Sequence, residues 1–202
     1  MDIIIVIFFS YLSGSIPFGL ILTKFFYKQD IRNIGSGNIG TTNVLRTGNK
    51  YLAIATLILD SLKGYVPVLF CANYFNELIY LACLTTFLGH LFPIWLNFKG
   101  GKGVATYLGI LIALSIQLSL LFIFTWIIIA LIFKYSSVSS IFSTLTVFII
   151  NLLRQVFVDA GVVSNLNYID SKILFIFLIL IIFTHKKNIS NLKNKVETKI
   201  KL

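Results

Sequence analysis

The chain has 202 residues, 57% of them hydrophobic and 12% charged, with a formal charge of +10 and a mean hydropathy of +0.93. That composition excludes a soluble monomeric domain. The basic residues fall between and after apolar runs, which suits an anionic membrane face and gives no basis for a nucleic-acid partner.

The first apolar run, residues 3–22, begins beside Asp2 with no basic residue, contains Pro17 and lacks a small-x-small cleavage site, so it reads as a retained span rather than a signal peptide. Further apolar runs cover residues 51–74, 78–96, 104–133, 138–153 and 173–184. At 1.5 Å per residue, one helix over 104–133 would be about 45 Å long against a hydrocarbon core of about 30 Å, so a break is expected between Ser115 and Ser119. Cys71 and Cys83 sit within apolar runs with no CxxC or Cys/His partner at ligand spacing, and read as core residues without a disulfide or metal role.

Lysine and arginine accumulate in cytoplasmic connections. Lys24, Lys28, Arg32, Arg46 and Lys50 lie in the first, Lys99 and Lys102 in another, and six lysines from Lys186 to Lys201 in the tail. Placing all three on the cytoplasmic side predicts an all-α, polytopic membrane helix bundle with seven transmembrane helices, N-terminus out and C-terminus in. Lys134 then lies inside, and Glu77 and the stretch with Arg154, Asp159, Asp170 and Lys172 outside. A five-span arrangement, with two short crossings re-entrant or interfacial, keeps the same parity. The whole chain, 1–202, is expected to be one membrane-embedded domain.

The unusual residues gather in those three loops. GSGNIGTTNVLRTGN, residues 35–49, combines glycines, hydroxyls and amides with Arg46, a composition suited to cradling a phosphate through backbone N–H groups and a guanidinium. Gly35, Gly37 and Gly40 satisfy GxGxxG, but no strand precedes them; the P-loop pattern fails because Thr41 follows Gly40 where lysine is needed. A plain polar turn is the competing reading.

NFKGGKG, residues 97–103, sets Lys102 between Gly101 and Gly103 just before a helix, where small neighbours and the helix N-terminus favour an anion; an anchoring lysine is the alternative. His90 precedes this loop, as a ligand or as a hydrogen-bonded packing residue. In HKKNISNLKNKVETK, His185 and Asn188 are three apart and share a face if the last span continues as a helix, while the lysines suit anionic lipid. Within the second span, Asp60 and Lys63 are an i, i+3 pair; Lys63 either reaches a cavity or is neutralised by Asp60 in the bundle. Ser13, Gly14 and Ser15 fit a close-packed helix contact.

SYLSGSIPFG (10–19), DIRNIGSGNIGTTNVLRTGNK (30–50), LDSLKG (59–64), GHLFPIWLNFKGGKGVAT (89–106) and HKKNI (185–189) resemble, in the same order, the bacterial acyl-phosphate-dependent glycerol-3-phosphate acyltransferases, the PlsY family. The resemblance is specific in the two glycine loops and weak over 108–172, where apolar composition dominates. It implies a seven-helix enzyme of the bacterial cytoplasmic membrane with its active site facing the cytoplasm. The implied reaction moves a fatty acyl group from acyl phosphate to the 1-hydroxyl of sn-glycerol 3-phosphate, giving lysophosphatidate and phosphate, the first acylation of phospholipid synthesis. It needs no cofactor or metal, and implies membrane lipid and an acyl-phosphate-forming enzyme as partners.

Carried over by position, Ser36, Arg46, Lys102, His185 and Asn188 match the family's catalytic residues. Gly40, Thr41, Thr42 and Asn43 match its donor-phosphate loop, and Gly35, Gly37, Asn38, Gly101, Gly103, Lys63 and His90 complete the expected substrate-binding set. Glu197 matches a tail glutamate assigned to structural support. Thr41 stands where the family usually has alanine, and the tail reads KVE where a glycine usually stands two residues before the glutamate.

An activated donor makes a covalent nucleophile unnecessary: the protein has to bring the hydroxyl to the carbonyl and stabilise the oxyanion. His185, His90, Asp60 and a substrate phosphate oxygen are all conceivable proton acceptors. An organophosphate transporter or a scaffold for lipid enzymes would share several of these features, but no inverted repeat is visible and the cations cluster in loops.

Overall fold

The computed structural model describes residues 1–162 and 168–200, and every regular element among them is helical. The chain divides into two compact units, residues 1–113 and 114–202.

In the first unit, α1 (Asp2–Ser15) and α2 (Phe18–Tyr27) form one apolar stretch interrupted at Ile16 and Pro17, since proline has no N–H to continue the ladder. After the first loop and the short α3 (Thr41–Leu45), α4 (Lys50–Tyr74) is started by Asn49, whose side chain accepts the Leu52 N–H at 3.0 Å. Helix α5 (Ile79–Leu91) and α6 (Val104–Leu114) follow.

Small residues bring these helices together. A Cβ on Gly14 would fall on the Thr86 backbone and one on Gly89 on the Tyr11 carbonyl, so α1 and α5 cross backbone to backbone, as the Ser13–Ser15 sequence predicts. Gly64 and Gly109 do the same for α4 and α6, against Thr106 and Ser61.

In the second unit, α7 (Ile116–Phe133) begins where the expected break falls: Ser115 accepts the Leu118 N–H and caps the helix. Helix α8 (Ser136–Asp159) packs on α7, and the indole of Trp126 donates to Ser140 Oγ at 3.2 Å. The hydroxyls of Ser139, Ser140, Ser143 and Thr144 bond back to carbonyls one turn earlier, so they are buried without loss. Asn151 holds the start of α9 (Ser171–Thr184) by exchanging bonds with Ile169 and donating to Ser171 Oγ. Helix α10 (Lys186–Lys193) completes the unit.

Among the described residues, Asp2–Tyr27, Lys50–Tyr74, Asn76–Leu96, Ile116–Phe133 and Ser136–Asp159 are long and apolar enough to cross a membrane, and the bent pair α9–α10 makes a sixth. Helix α6 has 11 residues, a rise of about 16 Å, and is too short to cross a bilayer alone. Outward-facing Phe124, Ile128 and Ile132 on α7, all more than half exposed, suit lipid and not water. Cys71 and Cys83 are free and buried, as expected.

Candidate active site

The first loop is organised by two side chains that serve the loop itself. Asp30 caps the turn Ile31–Asn33, accepting the Arg32 N–H at 3.0 Å and the Arg32 guanidinium at 2.6 and 2.9 Å, with Lys24 at 3.7 Å. The Arg32 guanidinium holds the Asp30 carboxyl down at about 2.

Asn43 is buried beneath the loop. Its Nδ2 donates to the carbonyls of Ile31, Ile34 and Asn38 at 2.7–3.1 Å, and its Oδ1 accepts the Ser36 N–H at 2.9 Å and lies 3.5 Å from Arg46 Nη1. One carboxamide therefore ties three turns of backbone to two expected catalytic residues. Asn38 plays a smaller similar part, accepting the Gly40 N–H at 3.0 Å.

Gly35 and Gly37 have φ of +57° and +71°, which only glycine adopts without strain, and a Cβ on Gly35 would press on Asn43 Oδ1 and the Arg46 side chain. Ser36 and Arg46 themselves face outward. The Thr41 hydroxyl is buried with no hydrogen-bond partner among the described residues.

The second loop is seated on α5. Its Gly100 and Gly101 amides donate to the Leu91 and His90 carbonyls at 3.0 and 3.1 Å, closing the C-terminus of that helix. A Cβ on Gly101 would meet the His90 ring, and one on Gly103, whose φ is +83°, would meet the Phe87 ring. The His90 ring is fixed in turn by Thr106, at 3.1 Å from Nδ1. The glycines beside Lys102 are thus required by protein packing, and Lys102 is carried, partly exposed, on a backbone held from below.

His90 is buried under the loop rather than on its surface, and Lys63 is buried against Asp60 Oδ1 at 2.8 Å. Of the two readings of Lys63, neutralisation by Asp60 is the one the geometry favours.

In the second unit, His185 is the hinge of a 55° bend between α9 and α10, so the last span does not continue straight as the shared-face reading assumed. Its Nδ1 lies 2.8 Å from the Ile181 carbonyl, which can only accept, so Nδ1 carries a proton; in the neutral ring Nε2 is then the acceptor nitrogen. Asn188 Nδ2 donates to Glu197 Oε1 at 2.5 Å, and Ser137 Oγ donates to the same oxygen at 3.4 Å. The tail is pinned further by the Ile200 N–H on the Lys134 carbonyl at 2.7 Å. The structural role expected of Glu197 is this anchoring of Asn188.

A family model described as glycerol-3-phosphate acyltransferase matches residues 4–195, nearly the whole chain. The chain belongs to the glycerol-3-phosphate acyltransferase family. A relative of that name from Pelagibacter ubique (strain HTCC1062) is 52% identical over 202 residues, covering all of both chains. Another, from Mesorhizobium japonicum, is 49% identical over 98% of this chain and 96% of its own. Among solved structures, the glycerol 3-phosphate form of PlsY, an integral membrane glycerol 3-phosphate acyltransferase, superposes with a TM-score of 0.86 at 33% identity, covering 100% of this chain and 96% of that one. Its lysophosphatidic acid form gives 0.83 at 32% identity, over 98% and 95%.

In this acyltransferase the first unit brings together Ser36, Asn43 and Arg46, and separately seats Gly101, the residue before Lys102, against the His90 ring; the second unit brings Asn188 to Glu197, with His185 at the bend. Sequence reasoning missed Thr106 and Phe87, which orient and support the Lys102 loop. Neither carries a chemical signal, since a threonine in a helical first turn and a phenylalanine in an apolar run are both commonplace. The expectation for Asn43 concerned its place in the donor-phosphate loop; that its side chain also ties the loop together inside is seen only in the structure.

Proposed function

We propose that this glycerol-3-phosphate acyltransferase takes its acyl group from acyl phosphate and places it on the 1-hydroxyl of sn-glycerol 3-phosphate. The glycerol oxygen bonds to the acyl carbon, the bond from that carbon to the phosphate oxygen breaks, and the hydroxyl proton is accounted for by the released phosphate. The products are lysophosphatidate and inorganic phosphate.

The observation that supports the acceptor and product is the full-length likeness to PlsY in its glycerol 3-phosphate and lysophosphatidic acid forms, and the acyl-phosphate donor rests on the resemblance of the glycine loops. The first loop supports it: outward-facing Ser36 and Arg46 sit on a backbone fixed by Asn43, the kind of preorganised donor set that an anionic substrate and a developing oxyanion require. Residues proposed to serve the reaction are Ser36, Arg46 and Lys102 in the first unit and His185 and Asn188 in the second. The segment Gly40–Asn43 is proposed to receive the donor phosphate, with the Gly40 amide already committed to Asn38.

The distribution of lysine and arginine supports a multi-pass protein of the bacterial cytoplasmic membrane, N-terminus out, with these loops on the cytoplasmic face. Because the family match runs through both units, we take them to serve one acyltransferase domain. An acyl-phosphate-forming enzyme would be its upstream partner.

The test is turnover by the purified protein in detergent with glycerol 3-phosphate and either palmitoyl phosphate or palmitoyl-CoA. Lysophosphatidate and phosphate formed from palmitoyl phosphate alone is the expected result. Turnover with palmitoyl-CoA alone would overturn the donor assignment while leaving the acyltransferase family intact.

A further inference from the structure

The reaction proposed above has no use for the most deeply buried charges of the first unit. Asp60 and Lys63 are 2% and 4% exposed on α4, in a segment long and apolar enough to span a membrane. Isolated charges there are costly, and an ion pair in such a place adds little net stability over an apolar pair of similar volume. Their presence calls for a task other than stability.

The contacts of Lys63 indicate that task. Besides Asp60, its Nζ donates to the Ile16 carbonyl at 2.6 Å and lies 5.8 Å from the centre of the Phe18 ring. Ile16 is the residue at which α1 ends, and Pro17 begins the turn into α2. The Ile16 carbonyl is outside the helical ladder: its backbone partner is the Phe18 N–H, a tight 3.2 Å turn. The ammonium thus reaches the chain on both sides of the break, through a carbonyl before Pro17 and an aromatic face after it.

One residue beyond Phe18, the break meets the first loop. A Cβ on Gly19 would fall on the Ile39 carbonyl oxygen and 3.1 Å from Thr56 Cγ2, so α2 rests on the loop backbone with no side chain between them. Ile39 is buried in the same apolar cluster as Leu20, Ile31 and Val44, and it immediately precedes Gly40. A shift of the break therefore passes directly into residues 39–46, because close-packed backbone contacts cannot absorb it.

We propose that Lys63, neutralised by Asp60, is a positioning residue for the substrate loop: it fixes the α1–α2 break, and through Gly19 and Ile39 the placement of Ser36–Arg46. The proposal rests on the reading of that loop as a substrate site. In this role Lys63 acts through its contacts with Asp60, Ile16 and Phe18 and not by binding substrate.

The experiment compares the parent chain with Lys63→Met and with the double variant Asp60→Asn/Lys63→Met, which leaves no buried charge unpaired. Hydrogen exchange is followed at the bonded amides of Ser36, Gly37, Asn43 and Val44, and at Gly100 and Gly101 of the second loop with Tyr107, whose N–H is bonded to the Gly103 carbonyl. The double variant is expected to keep the parent melting temperature, to exchange about tenfold or more faster in the first loop only, and to raise KM by about tenfold or more with a smaller change in kcat. Parent-like protection of the first loop, or equal acceleration in both loops, would overturn the proposal. If Lys63→Met does not fold, the double variant decides. If the parent shows no turnover with either donor, the proposed reaction fails, and the exchange data still judge the positioning role.

Discussion

The two glycine-rich loops of the first unit look alike in composition and are built on different principles. The loop after α2 is knotted from within: Asn43 bonds to five groups of the loop, and Gly35 and Gly37 supply the left-handed turns that let it do so. The loop after α5 has no such hub. It is laid on the end of a helix, and Gly101 and Gly103 leave room for His90 and Phe87. Positive φ occurs in both, at Gly35 and Gly37 in the first and at Gly103 in the second; what differs is the neighbour each glycine admits, the loop's own Asn43 and Arg46 in the first and the His90 and Phe87 rings of α5 in the second, so substitutions should fail differently.

The largest effect is expected from Asn43→Ala. It strips partners from three carbonyls, the Ser36 N–H and the Arg46 guanidinium together, and should cost about 2–4 kcal/mol of stability. It should also lower kcat/KM about a hundredfold, as expected when a positioned loop is lost. A melting temperature within a degree or two of the parent would show that the loop is not held by this side chain.

Next is Gly101→Ala, whose Cβ would enter the His90 ring: overpacking of about 1–3 kcal/mol with a loss of activity, set against Gly48→Ala, which has φ +88° but open space and should cost only about 1 kcal/mol. Equal losses at the two positions, measured by thermal unfolding, would mean that the His90 ring gives way to the added methyl and that the seat on His90 does not require glycine at 101.

Arg46→Lys keeps the charge but loses the planar fork, so KM for glycerol 3-phosphate should rise about tenfold or more while the fold is retained. Unchanged kinetics would remove Arg46 from the site.

A smaller effect concerns the entrance to the first loop. Asp30 is held at about 2 against an unfolded value of 3.8, so its contribution is present above about pH 4 and is lost as pH falls through 2. Arg32→Ala should return the Asp30 titration, followed by carboxyl NMR, toward the ordinary carboxylate range; an unmoved titration would exclude Arg32 as the cause. The smallest change is expected from Thr41→Ala, which removes a buried hydroxyl without a partner among the described residues. Stability should be unchanged or higher by up to about 1 kcal/mol. A clear loss would reveal a bond made by that hydroxyl.

Much of the fold is legible in the order of residues. The break at Ser115 follows from length alone, since a helix over residues 104–133 would overshoot the membrane, and Ser115 supplies the cap that starts α7. The pairing of Asp60 with Lys63 follows from their spacing on one helix. The backbone contact of Gly14 with Thr86 is legible only as a small-residue stretch; nothing in the chain near residue 14 names its partner.

The candidate site divides in the same way. Ser36, Arg46, Lys102, His185 and Asn188 are conspicuous because charged and amide side chains beside glycines are rare in an apolar chain. What orients them is less visible. Glu197 reaches Asn188 across a nine-residue separation, and His185 bends the last helix by 55° where periodicity alone would run it straight.

By itself, then, the sequence determined a helical membrane protein, its apolar segments and the polar loops proposed to carry the chemistry. Those properties are fixed by how hydropathy and glycine are distributed along the chain, and by the requirement that backbone groups in lipid pair within their own helix. Only the tertiary structure decided which polar groups face outward and which hold the loops in place. Asn43, His90 and Lys63 have the chemistry of ligands, and each is buried among protein acceptors; a side chain's inventory of donors is local, but the partners that use them are brought together only by folding.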